Sequence, residues 1–220
     1  MKITKFAQSC VLVETNNKRI LIDPGYLQFD ESLLRKQWAN IDFLLVTHKH
    51  NDHCAANAIK EIVKRPETKF YASQEVSNSH TELSPQIVKE GGILDFDKLK
   101  IEVVKAVHGY MPFLQGDKEI SENLGYIIDD GEHRVYHTGD TISFKTDYKC
   151  DIIFVPICNH GLVMGTYEAA FFAKKTGAKL VIPIHYDNPS YPTDLEKAKE
   201  GFKKQWLNYK ILEIGESVEF

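Results

Sequence analysis

The sequence predicts a layered α/β domain with strands in a central core and helices outside. Strand-type runs fill most of the chain before its first well-formed helical pattern near residue 55, and helical patterns recur in the second half. No short repeat, low-complexity tract or linker interrupts the 220 residues, so residues 1–220 are expected to form a single domain.

The elements follow from pattern and punctuation. "KITKFAQSCVLVET" and "RILIDPG" read as strands meeting at an Asn16-Asn17 turn, with a stop at Pro24-Gly25. Residues 31–38, "ESLLRKQW", look helical, and "IDFLLV" (41–46) is a short apolar run of buried-strand type. "AANAIKEIVKR" (55–65) has helical periodicity and ends before Pro66. "TKFYAS" is a strand, and "GILDFDKLKIEVVKAVH" carries two strands around "DFDK". "LGYIIDDGEHRVYHTGD" is a hairpin turning at Asp130-Gly131. Then come a strand "CDIIFVPI", a helix "TYEAAFFAKKTGA" with Gly177 near its C-terminal end, a strand "KLVIPIH", a helix "TDLEKAKEGFKKQW", and a closing strand or hairpin "KILEIGESVEF".

Bulk composition excludes several classes. Hydrophobic residues are 43% and charged residues 26%, an ordinary globular balance able to bury a core without disulfides. The formal net charge is -4 and no Lys/Arg stripe is visible, so no nucleic-acid partner is expected. No run approaches the roughly 18 apolar residues of a membrane span, so no membrane partner is expected. The N-terminus lacks an apolar h-region and a small-residue cleavage site, so no signal peptide is expected. Cys10, Cys54, Cys150 and Cys158 form no CxxC pair, and a reducing cytoplasm is the expected location.

The chemistry concentrates in "THKHNDHC", residues 47–54. His48 and His50 are two apart on chain leaving a strand, so both project to one side and can reach one metal. Asp52 and His53 add a hard oxygen and a nitrogen as the chain curls toward the helix. Four ligand types from one loop exceed what one tetrahedral zinc needs, since other elements must also close a site; the spacing suggests two metals. Further ligands should stand at other strand ends. His108 follows "IEVVKAV", Asp140 sits in "VYHTGDT", and His185 ends "KLVIPIH". An isolated strand-end histidine is often only a hydrogen-bonded rim residue; three such positions beside HxHxDH point to metal.

These motifs resemble the metallo-β-lactamase-fold superfamily of hydrolases, from "LIDPG" to the final strand. "HKHNDH", "AVH", "HTGDT" and "PIHY" match its metal motifs in order. "HTGDT" and "VPICNHGLVMGTYEAAFFAKKTGAKLVIPIHYD" resemble the subgroup that includes ascorbate-6-phosphate lactonase and N-acylphosphatidylethanolamine-hydrolysing phospholipase D. The resemblance implies a four-layer αββα sandwich, two mixed β-sheets flanked by helices. It implies one metal held by His48, His50 and His108, a second held by Asp52, His53 and His185, and Asp140 bridging both. Asp52 and Asp140 are then also the catalytic carboxylates, and Asp23 of "LIDPG" orients the metal loop from behind. The implied function is a metal-dependent hydrolase that uses a dinuclear metal-bound hydroxide, with two Zn²⁺ as the first expectation and Mn²⁺ or Fe as alternatives. Two divalent ions against two carboxylates and one hydroxide leave the set formally about +1, which favours a small anionic ester, phosphodiester or lactone.

The chain also departs from other branches of that superfamily. "AVHGYMP" lacks the "TPGHT" form of glyoxalase II-like members, and no cysteine falls at one of the motif's metal positions, unlike the zinc β-lactamases. No inserted nuclease domain or tRNA-binding arm is visible, and the extra N-terminal sequence of the phospholipase has no counterpart. A di-iron redox or metal-sensing protein, or a nuclease, remains the alternative on the same ligands. His137, three before Asp140, either supports the site or packs in its strand. His160, in "CNHGLVM", either meets substrate or moves a proton. Tyr110, Met111, Met164 and Tyr186 flank metal ligands and either line a pocket or pack. His80 and His133 are assigned to the surface, and Cys54 is read as a small buried residue. Neither substrate identity nor oligomeric state is legible in the sequence.

Overall fold

The computed structural model describes residues 1–28, 36–110 and 119–220. The expected helix at 31–38 therefore lies largely outside the described residues, as does Met111. The chain divides into two compact units, Met1–Lys89 with Glu213–Phe220, and Glu90–Leu212.

The first unit holds a seven-stranded mixed sheet. Its strands are β1 (Lys2–Lys5), β2 (Val11–Thr15), β3 (Lys18–Ile22), β4 (Phe43–Leu45), β5 (Lys69–Ala72), β6 (Gln86–Ile87) and β13 (Ser217–Glu219). The order is β13-β1-β2-β3-β4-β5-β6. The closing segment thus contributes one strand, paired antiparallel with β1. β2 and β3 form the expected hairpin, and Asn16 and Asn17 both take positive φ (47° and 59°), as a tight right-twisting turn requires. β3, β4 and β5 run parallel, so their C-terminal ends lie at one edge.

Three differences from the sequence reading arise here. The run from Lys2 to Thr15 is broken by a turn at Phe6–Cys10, closed by Phe6 N–H to Cys10 O at 2.8 Å, with Gln8 at φ 56°. After β5, Gln74–Ser79 forms a short helix, α2, capped by Ser73 Oγ accepting from Val76 N. Only Val76 of α2 is buried, so the apolar pattern carried no signal for it. The preceding helix, α1 (Ala56–Ile62), buries Ala58, Ile59 and Ile62 at helical spacing, but stops at Val63 rather than running to residue 65. These side chains pack with Leu21, Leu44, Val46, Phe70 and Trp38, and Trp38 meets Phe6 edge-on at 5.6 Å.

The second unit holds a six-stranded mixed sheet ordered β12-β11-β10-β9-β8-β7. The strands are β7 (Ile93–Phe96), β8 (Leu99–Lys105), β9 (Leu124–Asp129), β10 (Arg134–His137), β11 (Ile152–Pro156) and β12 (Leu180–Ile184). β8, β9 and β10 are successive antiparallel neighbours, whereas β10, β11 and β12 are parallel. β8, β10, β11 and β12 therefore all point their C-terminal ends at the same edge. β11 is buried at every position, the continuous apolar run of an inner parallel strand. α3 (Thr166–Thr176) ends at Gly177, whose φ of 75° closes the helix in the left-handed region. α4 (Leu195–Lys204) starts at Asp194, which caps the N–H groups of Glu196 and Lys197. Phe172 and Ala173 of α3 and Ala198 and Phe202 of α4 share a core with Ile153, Val155 and Val181. Among the described residues no helix is long and apolar enough to cross a membrane.

Candidate metal centre

In the first unit, the site begins where two parallel strands end. Asp23 follows β3 and is fully buried with φ 51°, a conformation a non-glycine residue adopts only under constraint. Its backbone N–H bonds Leu45 O, the last residue of β4, at 3.0 Å. Its carboxylate accepts from Thr47 N and Thr47 Oγ1, both at 2.8 Å, and lies 2.8 Å from His53 Nδ1. One buried carboxylate thus clamps both ends of the metal loop. Strand pairing put Asp23 beside Thr47; the sequence places them 24 residues apart.

Between those ends the loop turns tightly. His53 N and Cys54 N both bond His50 O, at 2.9 and 2.8 Å, and Tyr26 N bonds Asn51 O at 3.1 Å. Gly25 is required by this approach, because a Cβ there would sit 1.8 Å from Asp52 O. The helix α2 supports the outer side: Lys49 Nζ is 2.9 Å from Glu75 Oε1, and His80 Nε2 is 2.8 Å from Lys49 O. His80 is half-buried against the loop rather than a surface residue, a correction that follows from the unforeseen α2.

The imidazoles of this loop converge. His48 and His53 are buried, His50 and Asp52 half-buried. The His48 ring lies 4.1 Å from that of His53 and 4.8 Å from that of His50. His48 Nε2 and His50 Nδ1 are 3.1 Å apart, and His53 Nε2 is 3.6 Å from Asp52 Oδ2. Two nitrogens bound tetrahedrally at Zn–N distances stand roughly 3.3 Å apart, so this spacing fits a shared cation. The outer nitrogens are held as ligating histidines require: His53 Nδ1 by Asp23, and His48 Nδ1 by Thr47 Oγ1 at 3.0 Å. Gln8 Nε2 makes a long 3.4 Å contact to Asp52 Oδ2. Cys54, next in sequence, is buried; burial first, and then the Asp23 charge, push its thiol far above the ordinary range, so it is an inert packing group.

In the second unit, the ligand-type residues stand just beyond the ends of strands that share one edge. His108 follows β8, Asp140 follows β10, Cys158 and His160 follow β11, and His185 follows β12. His108 is half-buried, and its Nδ1 lies 2.8 Å from Gly109 O, an oxygen that only accepts, so the ring proton sits on Nδ1 and Nε2 carries the lone pair. Asp140 and His185 are buried, with His185 Nε2 3.1 Å from Asp140 Oδ2. His185 also has positive φ, 58°, so its ring leaves the strand at an unusual angle. Asn123 Nδ2 donates to Asp140 O, and Thr141 Oγ1 accepts from Val107 N at 2.9 Å, tying the β10 and β8 ends together.

The 157–164 loop is laced to this edge. Gly109 N bonds Leu162 O at 2.7 Å, and a Cβ on Gly109 would lie 2.5 Å from Gly161 O. Met164 N bonds Thr141 O at 2.8 Å, and Met164 is fully buried in the α3 core. Glu168, in the "EAA" turn of α3, accepts from Ser143 N at 2.8 Å. His160 is half-buried, its ring edge-on to His185 at 5.5 Å. Burial raises the Cys158 thiol, but the imidazoles of His160 and His185 more than offset it and hold the pKa at about 6. His137 is fully buried in β10, with Nδ1 accepting from Gly139 N at 3.2 Å and its ring near Phe154. The Tyr186 hydroxyl donates to Leu212 O and the ring packs against the α3 core; Tyr110 is exposed.

Residues 2–185 match the model of the beta-lactamase superfamily domain. The chain belongs to that superfamily. Relatives that it matches over nearly their whole length bear the name metal-dependent hydrolase. It is 32% identical to the UPF0173 metal-dependent hydrolase of Bacillus cytotoxicus, over 99% of both chains. It is 31% identical to that of Bacillus thuringiensis, again over 99% of both. Among solved structures it is similar to Igni18, a metallo hydrolase of the hyperthermophilic archaeon Ignicoccus hospitalis. That likeness has TM-score 0.80 and 26% identity, and covers 100% of this chain and 98% of the other. The superfamily member described here is accordingly a metal-dependent hydrolase, and its fold class is α/β with two mixed sheets and flanking helices, as the sequence predicts.

Thr47, Gln8, Asn123 and Thr141 carry supporting roles that the sequence did not announce. Thr47 stood in view as the first residue of the loop, but its partner Asp23 is set by strand adjacency. Thr141 closes the "HTGDT" motif, whereas Gln8 and Asn123 lie in segments with no ligand-type pattern at all.

Proposed function

We propose that the two ligand sets serve one dinuclear centre and that the enzyme hydrolyses a small anionic ester, phosphodiester or lactone. One observation carries the reading. His48, His53 and His108 each have Nδ1 engaged by an oxygen of their own unit, which directs Nε2 of each toward a cation. In this reading His48, His50 and His108 would hold one ion, Asp52, His53 and His185 the other, and Asp140 would serve both. Bound there, divalent ions would supply a water of lowered pKa and Lewis-acid polarisation of a substrate oxygen.

The protein's own groups do the rest. Asp23 fixes the orientation of the loop and the tautomer of His53. Asp140 supplies charge that keeps two like-charged ions together, and Asn123 holds its backbone in place. His160 is the side chain suited to touch substrate or carry a proton at the leaving group. The net positive centre selects anionic substrates, and the net charge of -4 disfavours long nucleic acid. Zinc is the first expectation for the metal and the cytoplasm for the location.

The test is an activity screen of the metal-loaded enzyme on phosphodiesters, lactones and thioesters, with metal analysis of the same preparation. Turnover of an anionic ester or lactone that a chelator abolishes is the expected result. A protein that carries iron, hydrolyses none of these classes and cycles between oxidation states would overturn the reading.

A further inference from the structure

Within the second unit, Cys158, His160 and His185 each bring one ligand atom to within 4.8 Å of the others. Cys158 is 2% and His185 3% exposed, so both donors are withdrawn from bulk water. We infer that Cys158, His160 and His185 form a separate binding site for a thiophilic divalent ion such as Zn²⁺ or Cd²⁺, distinct from the hydrolytic ligand sets and joined to them only through His185. The inference rests on the proposed function solely for His185's other role.

The chemistry of the donors argues for a soft ion. One thiolate and two imidazoles are three of the four ligands of a Cys/His zinc site, with the fourth position open to water. Position is set by topology rather than by local sequence. Cys158 and His160 leave the end of β11, and His185 the end of the adjacent parallel strand β12, whose last pair is Pro156 with Ile184. Two adjacent parallel strands in register therefore bring the segments just beyond their ends to one spot. Around them the loop is anchored: Gly109 N on Leu162 O at 2.7 Å, Met164 N on Thr141 O at 2.8 Å, and the His160 ring edge-on to Tyr191 at 5.4 Å. Cys158 Sγ lies 3.9 Å from Tyr191 O, a weak contact for a thiol proton that a bound ion would displace.

One hydrogen bond must yield. Leu162 N donates to His160 Nδ1 at 3.2 Å, which places the ring proton on Nε2. Ligation through Nε2 shifts that proton to Nδ1 and loses the contact, whereas ligation through Nδ1 replaces it; either way one long hydrogen bond is exchanged for one metal bond. His185 is shared, because its Nε2 also sits 3.1 Å from Asp140 Oδ2. An ion in the thiolate set therefore competes with Asp140 for His185.

Cobalt(II) separates this site from the hydrolytic one. The full-length chain, stripped of metal and titrated with Co²⁺, should develop a thiolate-to-cobalt charge-transfer band in the near ultraviolet. Histidine and aspartate ligands give only weak visible bands. Cys158→Ser should abolish the charge-transfer band and keep the visible ones. His160→Gln, at a half-buried position, should raise the Co²⁺ concentration needed for the band by about 10-fold or more, since losing even a hydrogen-bond partner behind a ligand costs that much. No charge-transfer band at saturating cobalt would overturn the site, as would a band that survives Cys158→Ser or a His160→Gln titration that matches the parent. The visible bands that remain in Cys158→Ser report the hydrolytic ligand sets, so their absence from that variant would count against the proposed function and not against this inference.

Discussion

The two units assemble their ligand-type residues by opposite means. In the first, His48, His50, Asp52 and His53 come from one turn, and a single buried carboxylate, Asp23, holds both ends of it. In the second, His108, Asp140 and His185 are spread over 78 residues and meet at one sheet edge only because β8, β10 and β12 point the same way. The first set is a local motif buttressed by hydrogen bonds, and the second a product of topology buttressed by backbone contacts between loops. Damage to the first set should therefore be absorbed or transmitted through Asp23, and damage to the second through the strand-end contacts of Thr141 and the 157–164 loop.

The largest effect is expected in the second unit. Asp140→Ala removes the carboxylate proposed to serve both ions, and hydrolysis should fall by orders of magnitude together with metal content. His160→Ala should cost nearer 10²-fold in rate with the hydrolytic ions retained, because at most it moves a proton or touches substrate. Rates and elemental analysis of both variants check this contrast. An Asp140→Ala enzyme that keeps both ions and near-normal activity would show that "HTGDT" has been given the wrong role.

In the first unit, Asp23→Asn keeps the shape but sets an amide against Thr47 N–H, Thr47 Oγ1 and His53 Nδ1. Metal affinity should weaken about 10–100-fold, as for other groups that orient a ligating histidine, with hydrolysis recovering at high metal concentration. Competition with a chelator gives the number, and unchanged affinity would mean the loop holds its shape without Asp23. Gly25→Ala drives a methyl into Asp52 O, which is backbone and cannot swing aside. A loss at the upper end of about 1–3 kcal/mol is expected in denaturant unfolding. A wild-type midpoint would show that the loop and the β3 end move apart freely. Smallest is Glu75→Ala, which removes the ion pair to Lys49 from the outer side of the loop. Its cost should be about 1 kcal/mol or less, and smaller in high salt.

The same contrast explains what the sequence disclosed. HxHxDH is legible because its meaning lies in spacing within six residues, and the strand-end positions of His108, Asp140 and His185 are legible once strands are recognised. The Asn16-Asn17 turn, the Asp130-Gly131 hairpin and the Gly177 stop were readable because those residues take conformations that most others avoid. The short helix α2 was not, since only Val76 of its six residues is buried and no period forms. Nor was the break at Gln8, which has neither glycine nor proline to mark it. Thr47's clamp on Asp23 and Asn123's hold on Asp140 depend on which strands become neighbours, information that no local pattern contains. No cysteine falls at a metal position of the family motif, so the sequence does not single out Cys158, and its two imidazole neighbours become visible only with β11 and β12 in parallel register.

Whether the two ligand sets complete the same ions is decided by counting metal. Elemental analysis of the Cys158→Ser chain, which lacks the thiolate site, after zinc reconstitution and removal of excess should give two ions per chain, and one when His50→Ala, in the first unit, or His108→Ala, in the second, is added. A Cys158→Ser chain that holds at most one ion, or one that keeps two after His108→Ala is added, would contradict a dinuclear centre built from both sets.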